Sequence, residues 1–132
     1  MIESTRIRLG SKIFHSKNYN RKINTNSYTI SFQSMNKIEF AEILYFIEYN
    51  NQVFAKLNVY STSTNYCLPD KIGSFLYDAF EKIYKNFYSL IDIDKCREDI
   101  ILVNEIKHKC IMINYMKNFY HITSVIYEYE HD

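Results

Sequence analysis

The sequence predicts a mainly β protein of the α+β class, a small bent sheet or partly open β-barrel with one amphipathic helix inserted between strands. Runs of apolar and β-branched residues recur along the 132 residues, and they are separated by polar, Asn-rich turns. One longer segment repeats its apolar residues at helical spacing instead. With only two Gly and one Pro in the chain, asparagines have to supply most of the bends.

The clearest strand pair is a hairpin around Asn50-Asn51. An apolar run from Ile38 to Tyr49 precedes these asparagines, and the residues from Val53 to Tyr60 then alternate between apolar and polar side chains. Asn tolerates the positive φ angles of a two-residue turn, so the pattern predicts two antiparallel strands. We also expect the strand from Val53 to Tyr60 to be an edge strand, through which two copies of the chain could pair into a homodimer.

A helix is predicted after this hairpin, over about residues 71–89. Asp70 is a suitable N-cap, because its carboxylate can accept hydrogen bonds from the first-turn amides. The apolar residues that follow recur at spacings of three and four, which is typical of a helix packed on a core. They are Ile72, Phe75, Leu76, Ala79, Phe80, Ile83, Tyr84 and Phe87.

The other apolar runs predict five further strands, joined by polar loops. We expect surface loops over Lys17–Ser27 and over the charged residues 92–99, and a turn at residues 116–118. The predicted strands lie near Ile13-Phe14, at Tyr28–Phe32, Ile100–Val103, Lys109–Asn114 and Phe119–Thr123.

Residues 1–132 are expected to form one domain, in which a basic N-terminal arm of about residues 1–27 is partly mobile. The chain is long enough to bury roughly two-thirds of its extended surface on folding. Its 16 Lys and Arg against 15 Asp and Glu give a net charge of +1. These charges are unevenly distributed, because residues 1–37 carry seven cations and one acid, a sum of +6, which leaves −5 for the rest.

The composition excludes several classes of function. Walker and dinucleotide-binding loops need several glycines, and this chain has only Gly10 and Gly73. No Gly-x-Ser-x-Gly motif or catalytic Cys context is present, so covalent catalysis has no support. The chain is also too short for the carboxylate platform of a transposase or nuclease. We therefore expect no enzymatic activity and no catalytic residue.

A metal or cofactor is not expected either. His108 and Cys110 could share one face of a strand, with Cys96 and His121 completing a zinc site, but the paired spacing of structural zinc sites is missing. Cys110 packed inside the sheet is the more economical interpretation. The acidic residues of the 92–99 segment lack the glycine and the ligand order of a calcium loop. Three cysteines without close pairing indicate reduced thiols.

The basic arm is the strongest candidate for a binding site. Its cations are interleaved with aromatic residues, a combination that could neutralise phosphates and stack on bases. The sequence pI of 7.7 lies below the usual range for nucleic-acid-binding domains. Exposed tyrosines could instead form a cage for a methylated lysine. The candidate nucleic-acid contacts are Arg6, Arg8, Lys12, Lys17, Arg21 and Lys22.

Three stretches together resemble a C-terminal module of invertebrate transposon-derived proteins. They are the basic Arg21-Lys22 followed by Ser27-Tyr28, the hairpin from Phe40 to Ala55, and Ile101–Ile111, which reads I-x-V-x-x-I-x-x-K-C-I; Tyr127–Asp132 is similar to the closing element. The Ile106–Cys110 stretch also resembles a late strand of bromo-adjacent homology domains. The likeness extends over about residues 12–132.

This resemblance implies a small β-barrel that binds a protein or chromatin partner without performing chemistry. It implies no individual functional residue, because no aromatic cage can be matched. A small nucleic-acid-binding accessory protein that contacts DNA or RNA phosphates through its basic arm is the alternative. No signal peptide or membrane-spanning stretch of about 20 apolar residues is visible, so we expect no membrane partner and an intracellular protein, nuclear rather than cytoplasmic.

Overall fold

A computed structural model describes residues 2–10, 12–17, 28–63 and 88–125. These residues are mainly β, as predicted. A short 3-10 turn, Val103–Glu105, joins the seventh and eighth strands. In chain order the strands are β1 (Ile2–Ser4), β2 (Arg6–Leu9), β3 (Lys12–His15), β4 (Thr29–Ser34), β5 (Lys37–Tyr49), β6 (Gln52–Ser63), β7 (Ser89–Leu102), β8 (Ile106–Met116) and β9 (Phe119–Val125).

The hairpin around Asn50-Asn51 is confirmed. Asn50 and Asn51 have φ angles of 51° and 62°, the positive values that a two-residue hairpin turn requires. Tyr49 pairs with Gln52 directly beside the turn. Along β6 the predicted alternation also holds, because the side chains of Ala55, Leu57 and Val59 are fully buried and those of residues 54, 56 and 58 are only partly so.

Six strands pair into a ring. The antiparallel pairs follow the order β5, β4, β8, β9, β7 and β6, and β6 pairs with β5 again. Register shifts in several of these pairs, such as the one between Ile43 and Tyr45 of β5, let the long strands bend. The predicted bent sheet is therefore confirmed and takes a partly closed, ring-like form. β1 adds to β5, and β2 with β3 forms a separate two-stranded sheet.

Apolar clusters lie on both faces of the sheet. Ile30 pairs with Ala41 and Ser31 pairs with Phe40, so successive residues of β4 and β5 point to opposite faces. The first cluster contains Phe14, Ile30, Phe32, Ala41, Ile43, Phe46, Ala55, Leu57, Val59 and Ile101. The second contains Phe40, Tyr60, Ile91, Cys110 and Ile122. Cys110 is thus packed inside the sheet, as the sequence indicated.

The helix predicted over residues 71–89 falls almost entirely outside the described residues. Only its last two positions can be assessed, and neither is helical, because Tyr88 lies outside regular structure and Ser89 begins β7. The predicted C-terminal boundary was therefore wrong, and the helix over residues 71–87 stays a prediction. Residues 18–27 of the basic arm also lie outside the described residues, whereas residues 2–10 and 12–17 contribute β1, β2 and β3.

The charged loop predicted over residues 92–99 is wrong, because these residues belong to β7. Two of their charges, those of Arg97 and Glu98, are neutralised by cross-strand ion pairs. Lys56 of β6 contacts Glu98 at 3.1 Å. Arg97 donates two hydrogen bonds to Glu39 of β5, at 3.1 and 2.7 Å. The irregular part is confined to a register shift in which Tyr60 and Ser61 pair with Cys96 and Asp92, respectively.

The prediction that Val53–Tyr60 is an edge strand is also wrong. The β6 strand pairs with β5 on one side and with β7 on the other from Phe54 to Val59. The alternation that indicated a strand with one exposed edge arises instead from one face packed on the first cluster. The homodimer that depended on this edge therefore loses its structural basis, although dimerisation itself stays a prediction.

The ion pair between Glu39 and Arg97 makes stability depend on pH. Hydrogen bonding by Arg97 lowers the pKa of Glu39 below its usual 4.5, although burial opposes the shift. Because the folded-state pKa lies below that of the unfolded chain, the pair stabilises fully above the unfolded pKa, and this contribution is lost as the pH falls through the folded pKa. Urea unfolding should show that Arg97→Met destabilises by about 1 kcal/mol at pH 7 and by less under acid conditions.

Lys56→Met is the matched control for this prediction, since Glu98 is 65% exposed and surface pairs contribute little. A loss for Arg97→Met that stays constant from neutral to acid pH would contradict an electrostatic role for the pair.

Candidate functional site

The cations of the predicted nucleic-acid interface do not share one surface among the residues that the structure describes. On the β2–β3 hairpin, Leu9 pairs with Lys12 and Arg8 pairs with Ile13. Directly opposite residues share a face, so Lys12 lies on one face and Arg8, with Arg6, on the other. Both arginines are exposed. Lys17 contacts the Glu42 carboxylate of β5. Outside the described residues lie Arg21 and Lys22.

Two lysines of β8 join Lys12 in a basic cluster. Lys12 lies on the same face of the β2–β3 hairpin as Phe14, because the two are separated by one residue of β3. The pKa of His108 is lowered chiefly by burial and further by the positive charges of Lys12 and Lys107. Lys109 Nζ lies 5.7 Å from the ring centroid of Phe14, within cation–π range. We call Lys12, Lys107 and Lys109 the basic cluster; of the three, only Lys12 is among the nucleic-acid contacts predicted from the sequence.

The same face of β8 continues with two exposed isoleucines. Ile111 and Ile113 are 49% and 50% exposed, whereas Cys110 between them and Lys109 is buried. Because side chains alternate along a strand, Lys109, Ile111 and Ile113 project from one side of the sheet. Lys107 is exposed and lies next to them, at the register shift between β8 and β4. We call these four residues the outer β8 face. It combines two positive charges with adjacent apolar surface.

Aromatic rings border the outer β8 face on the β9 side. His121 pairs directly with Ile113. Its ring makes edge-to-face contacts with Tyr115 at 4.7 Å and with Tyr88 at 6.4 Å, measured between centroids. Burial lowers the pKa of His121, which favours the neutral ring, so this border adds apolar surface and no charge at pH 7.

A buried polar centre surrounds Glu42 of β5. Its Oε1 accepts hydrogen bonds from Asn58 Nδ2 at 3.1 Å and from Lys17 Nζ at 3.3 Å. Its Oε2 accepts one from the Tyr60 hydroxyl at 3.0 Å. Burial and the Glu42 charge together raise the pKa of Tyr60, so this hydroxyl stays protonated and remains a donor. We call Glu42, Asn58, Tyr60 and Lys17 the Glu42 centre.

The local sequence explains why this centre forms. Glu42 is the one charged side chain between Phe40 and Phe46, a run that packs against both apolar clusters. A carboxylate in such a run needs hydrogen-bond donors, and the antiparallel register sets Asn58 directly opposite Glu42. A lone acid inside an apolar strand was the only signal in the sequence from which this centre could have been found.

The described cysteine thiols are not arranged for nucleophilic chemistry or for metal binding. Burial, followed by the charges of Glu42 and Asp92, raises the pKa of Cys96, so its reactive thiolate is disfavoured. Cys110 Sγ lies 3.9 Å from Ser124 Oγ inside the sheet, and burial raises its pKa to about 11. In the part of the chain that the structure describes, no group of three or more His, Cys, Asp or Glu side chains could hold a metal ion.

Comparisons with known proteins leave the family open. No protein-family model matches the chain, and no curated protein and no solved structure matches it either. The resemblance to transposon-derived modules and to bromo-adjacent homology domains therefore stays a hypothesis based on the sequence motifs. Among the described residues, no helix is long and apolar enough to cross a membrane.

The Glu42 centre yields a prediction about Tyr60, whose hydroxyl donates to Oε2 from a side chain only 5% exposed. Tyr60→Phe removes this donor without changing the ring and leaves a buried carboxylate oxygen with one partner fewer. We expect a loss of about 1–3 kcal/mol in the free energy of unfolding, measured by urea denaturation at pH 7. Tyr49→Phe is the control, because Tyr49 is 55% exposed. Equal losses for the two variants would contradict a buried charged acceptor at Tyr60.

Proposed function

We propose that the chain is a non-enzymatic interaction module that binds a partner protein through the outer β8 face. The observation that carries this proposal is the pair of half-exposed isoleucines, Ile111 and Ile113, in line with Lys107 and Lys109 on one strand. The chemistry of this surface fits a partner segment that places acidic side chains beside apolar ones.

The isoleucines favour a protein partner over a nucleic acid. Phosphate contacts use cations and hydrogen-bond donors, and stacking of bases uses exposed aromatic rings. Aliphatic side chains on a sheet offer neither, whereas burial of the exposed half of an isoleucine by a partner contributes about 1 kcal/mol. The lysines would then set orientation and increase the association rate with an acidic partner.

The nature of the partner beyond this chemistry rests on the family resemblance. Membership of a transposon-derived, bromo-adjacent-homology-like family supports a chromatin-associated partner and a nuclear location. The exposed isoleucines and lysines support only the narrower proposal of an acidic and apolar protein surface. A second copy of the chain is a different occupant of the same face, which sedimentation at high concentration distinguishes.

Direct nucleic-acid binding is the second candidate function, and the basic cluster is the observation that favours it. Lys12 of the arm shares a hairpin face with Phe14, and Lys109 of β8 lies over the Phe14 ring, so cations distant in sequence come close together. Two other observations weigh against a continuous phosphate-binding arm. Lys17 is paired with Glu42, and Arg8 lies on the opposite face of the hairpin from Lys12.

A binding experiment separates these functions. The probes are an acetylated peptide of alternating glutamate and leucine, the same peptide with serine in place of leucine, and a short DNA duplex. Ile111→Thr/Ile113→Thr should weaken binding of the glutamate–leucine peptide by roughly 30-fold and leave any DNA binding unchanged. The substitution retains β-branching, so the strand is preserved. Ile100→Thr is the matched control, because Ile100 is 51% exposed on β7.

Two binding results would overturn the proposal. One is equal binding of the leucine and serine peptides. The other is a steep loss of DNA affinity with salt that Lys107→Gln/Lys109→Gln abolishes and the isoleucine variant leaves intact, which is the result expected of a nucleic-acid-binding protein. If the free chain sediments as a dimer that the isoleucine variant converts to monomer, the outer β8 face is a self-association surface instead.

A further inference from the structure

The Glu42 carboxylate accepts hydrogen bonds from donors of two kinds. Asn58 and Tyr60 belong to β6, the strand next to Glu42, and Tyr60 is buried among the second apolar cluster. These two donors are uncharged, so they fix the carboxylate in position and leave its negative charge in place. Lys17 is the only cation that contacts Glu42 among the described residues.

Lys17 differs from the other two donors in exposure and in origin. Its side chain is 52% exposed, whereas that of Glu42 is 11% exposed, so the ammonium group closes the solvent side of an otherwise buried carboxylate. Its backbone is held separately, because Lys17 N donates to Ile43 O at 2.7 Å. The ammonium can therefore leave Glu42 while the backbone of the arm stays attached to β5.

The surroundings of Glu42 favour a positively charged occupant. A buried carboxylate without a counter-charge is costly, and neutral hydrogen bonds offset only part of that cost. Another acid lies on the neighbouring strand, because Asp92 of β7 pairs with Ser61, the residue after Tyr60. The pKa of the nearby Cys96 thiol is raised by burial first and then by the charges of Glu42, Asp92 and Asp94. With Lys17 removed, this position would hold an oriented and largely buried carboxylate, with one side open to solvent.

We infer that Glu42, with Asn58 and Tyr60, is a receptor for a lysine ammonium group, which Lys17 occupies in the free chain and which a lysine of another polypeptide can occupy in its place. The bond geometry for such a ligand is the one that Lys17 adopts, a charge-assisted hydrogen bond to Oε1. This site is separate from the outer β8 face, and it takes a partner group of opposite charge. It does not depend on the function proposed above.

Chemical rescue tests this inference. Lys17→Ala should lower the thermal midpoint of the full chain. A ligand that binds only the folded state stabilises it. We therefore expect n-butylammonium chloride to reverse about half or more of the decrease in thermal midpoint, with an effect that saturates as its concentration rises. A blocked peptide, acetyl-Gly-Gly-Lys-Gly-Gly-amide, should do the same, since it presents the ammonium group on a polypeptide. Sodium chloride at equal ionic strength should not.

Two variants serve as controls. Glu42→Gln/Lys17→Ala removes the anion and should show no rescue. Lys37→Ala removes a lysine 3.5 Å from Glu39, another carboxylate of β5, but Arg97 still neutralises that group, so no rescue is expected there either.

If the amines raise the thermal midpoints of Lys17→Ala and of Glu42→Gln/Lys17→Ala equally, the receptor assignment is wrong. A midpoint for Lys17→Ala equal to that of the wild type, together with no shift of the Asn58 side-chain amide resonances on addition of butylammonium, would overturn it too. Rescue by butylammonium alone, without the peptide, would contradict the assignment to a polypeptide lysine and indicate a small-amine site.

Discussion

The ring of strands depends on β5, whose backbone is hydrogen-bonded along both edges. One edge pairs with β6 from Ala41 to Tyr49. The other edge is shared by three segments: β4 pairs with its first half, Lys17 and Tyr28 bond to Ile43 through their backbones, and β1 pairs with its end. A buried strand cannot leave amides and carbonyls unpaired without a large cost. Pairing along both edges of β5 therefore holds the N-terminal arm, the β5–β6 hairpin and the rest of the sheet in one arrangement.

The basic cluster and the Glu42 centre both follow from this arrangement. The basic cluster exists because β4 pairs with β8 and the β2–β3 hairpin packs on the first apolar cluster, which brings Lys12 toward Lys107. The Glu42 centre exists because the chain returns along β5 at Ile43 and carries Lys17 beside the carboxylate. Part of the basic arm's charge is therefore neutralised within the protein, because Lys17 pairs with Glu42 of the main sheet. Fewer cations of the arm remain for an external partner.

Much of the β structure could be predicted from the sequence, and the failures have physical causes. Asn50-Asn51 specified a turn because few residues tolerate positive φ, and the alternation after it specified a strand. The 92–99 segment was misassigned because its charges indicated solvent, whereas partners on β5 and β6, distant in sequence, neutralise two of them. Edge status could not be predicted, since alternation reveals a buried face but not the number of neighbouring strands. Lys17 could be recognised as a cation, but its pairing with Glu42 depends on tertiary contact alone.

Native-state hydrogen exchange measures the role of β5 most directly. If β5 holds the ring together, the amides that bond across its two edges, from Ile38 to Ile47, exchange only through global unfolding, and their opening free energies equal the free energy of unfolding. The β2–β3 hairpin, attached mainly by side-chain packing, should open at lower free energy. Exchange of the β5 amides at a lower opening free energy than those of β8 and β9 would contradict this account.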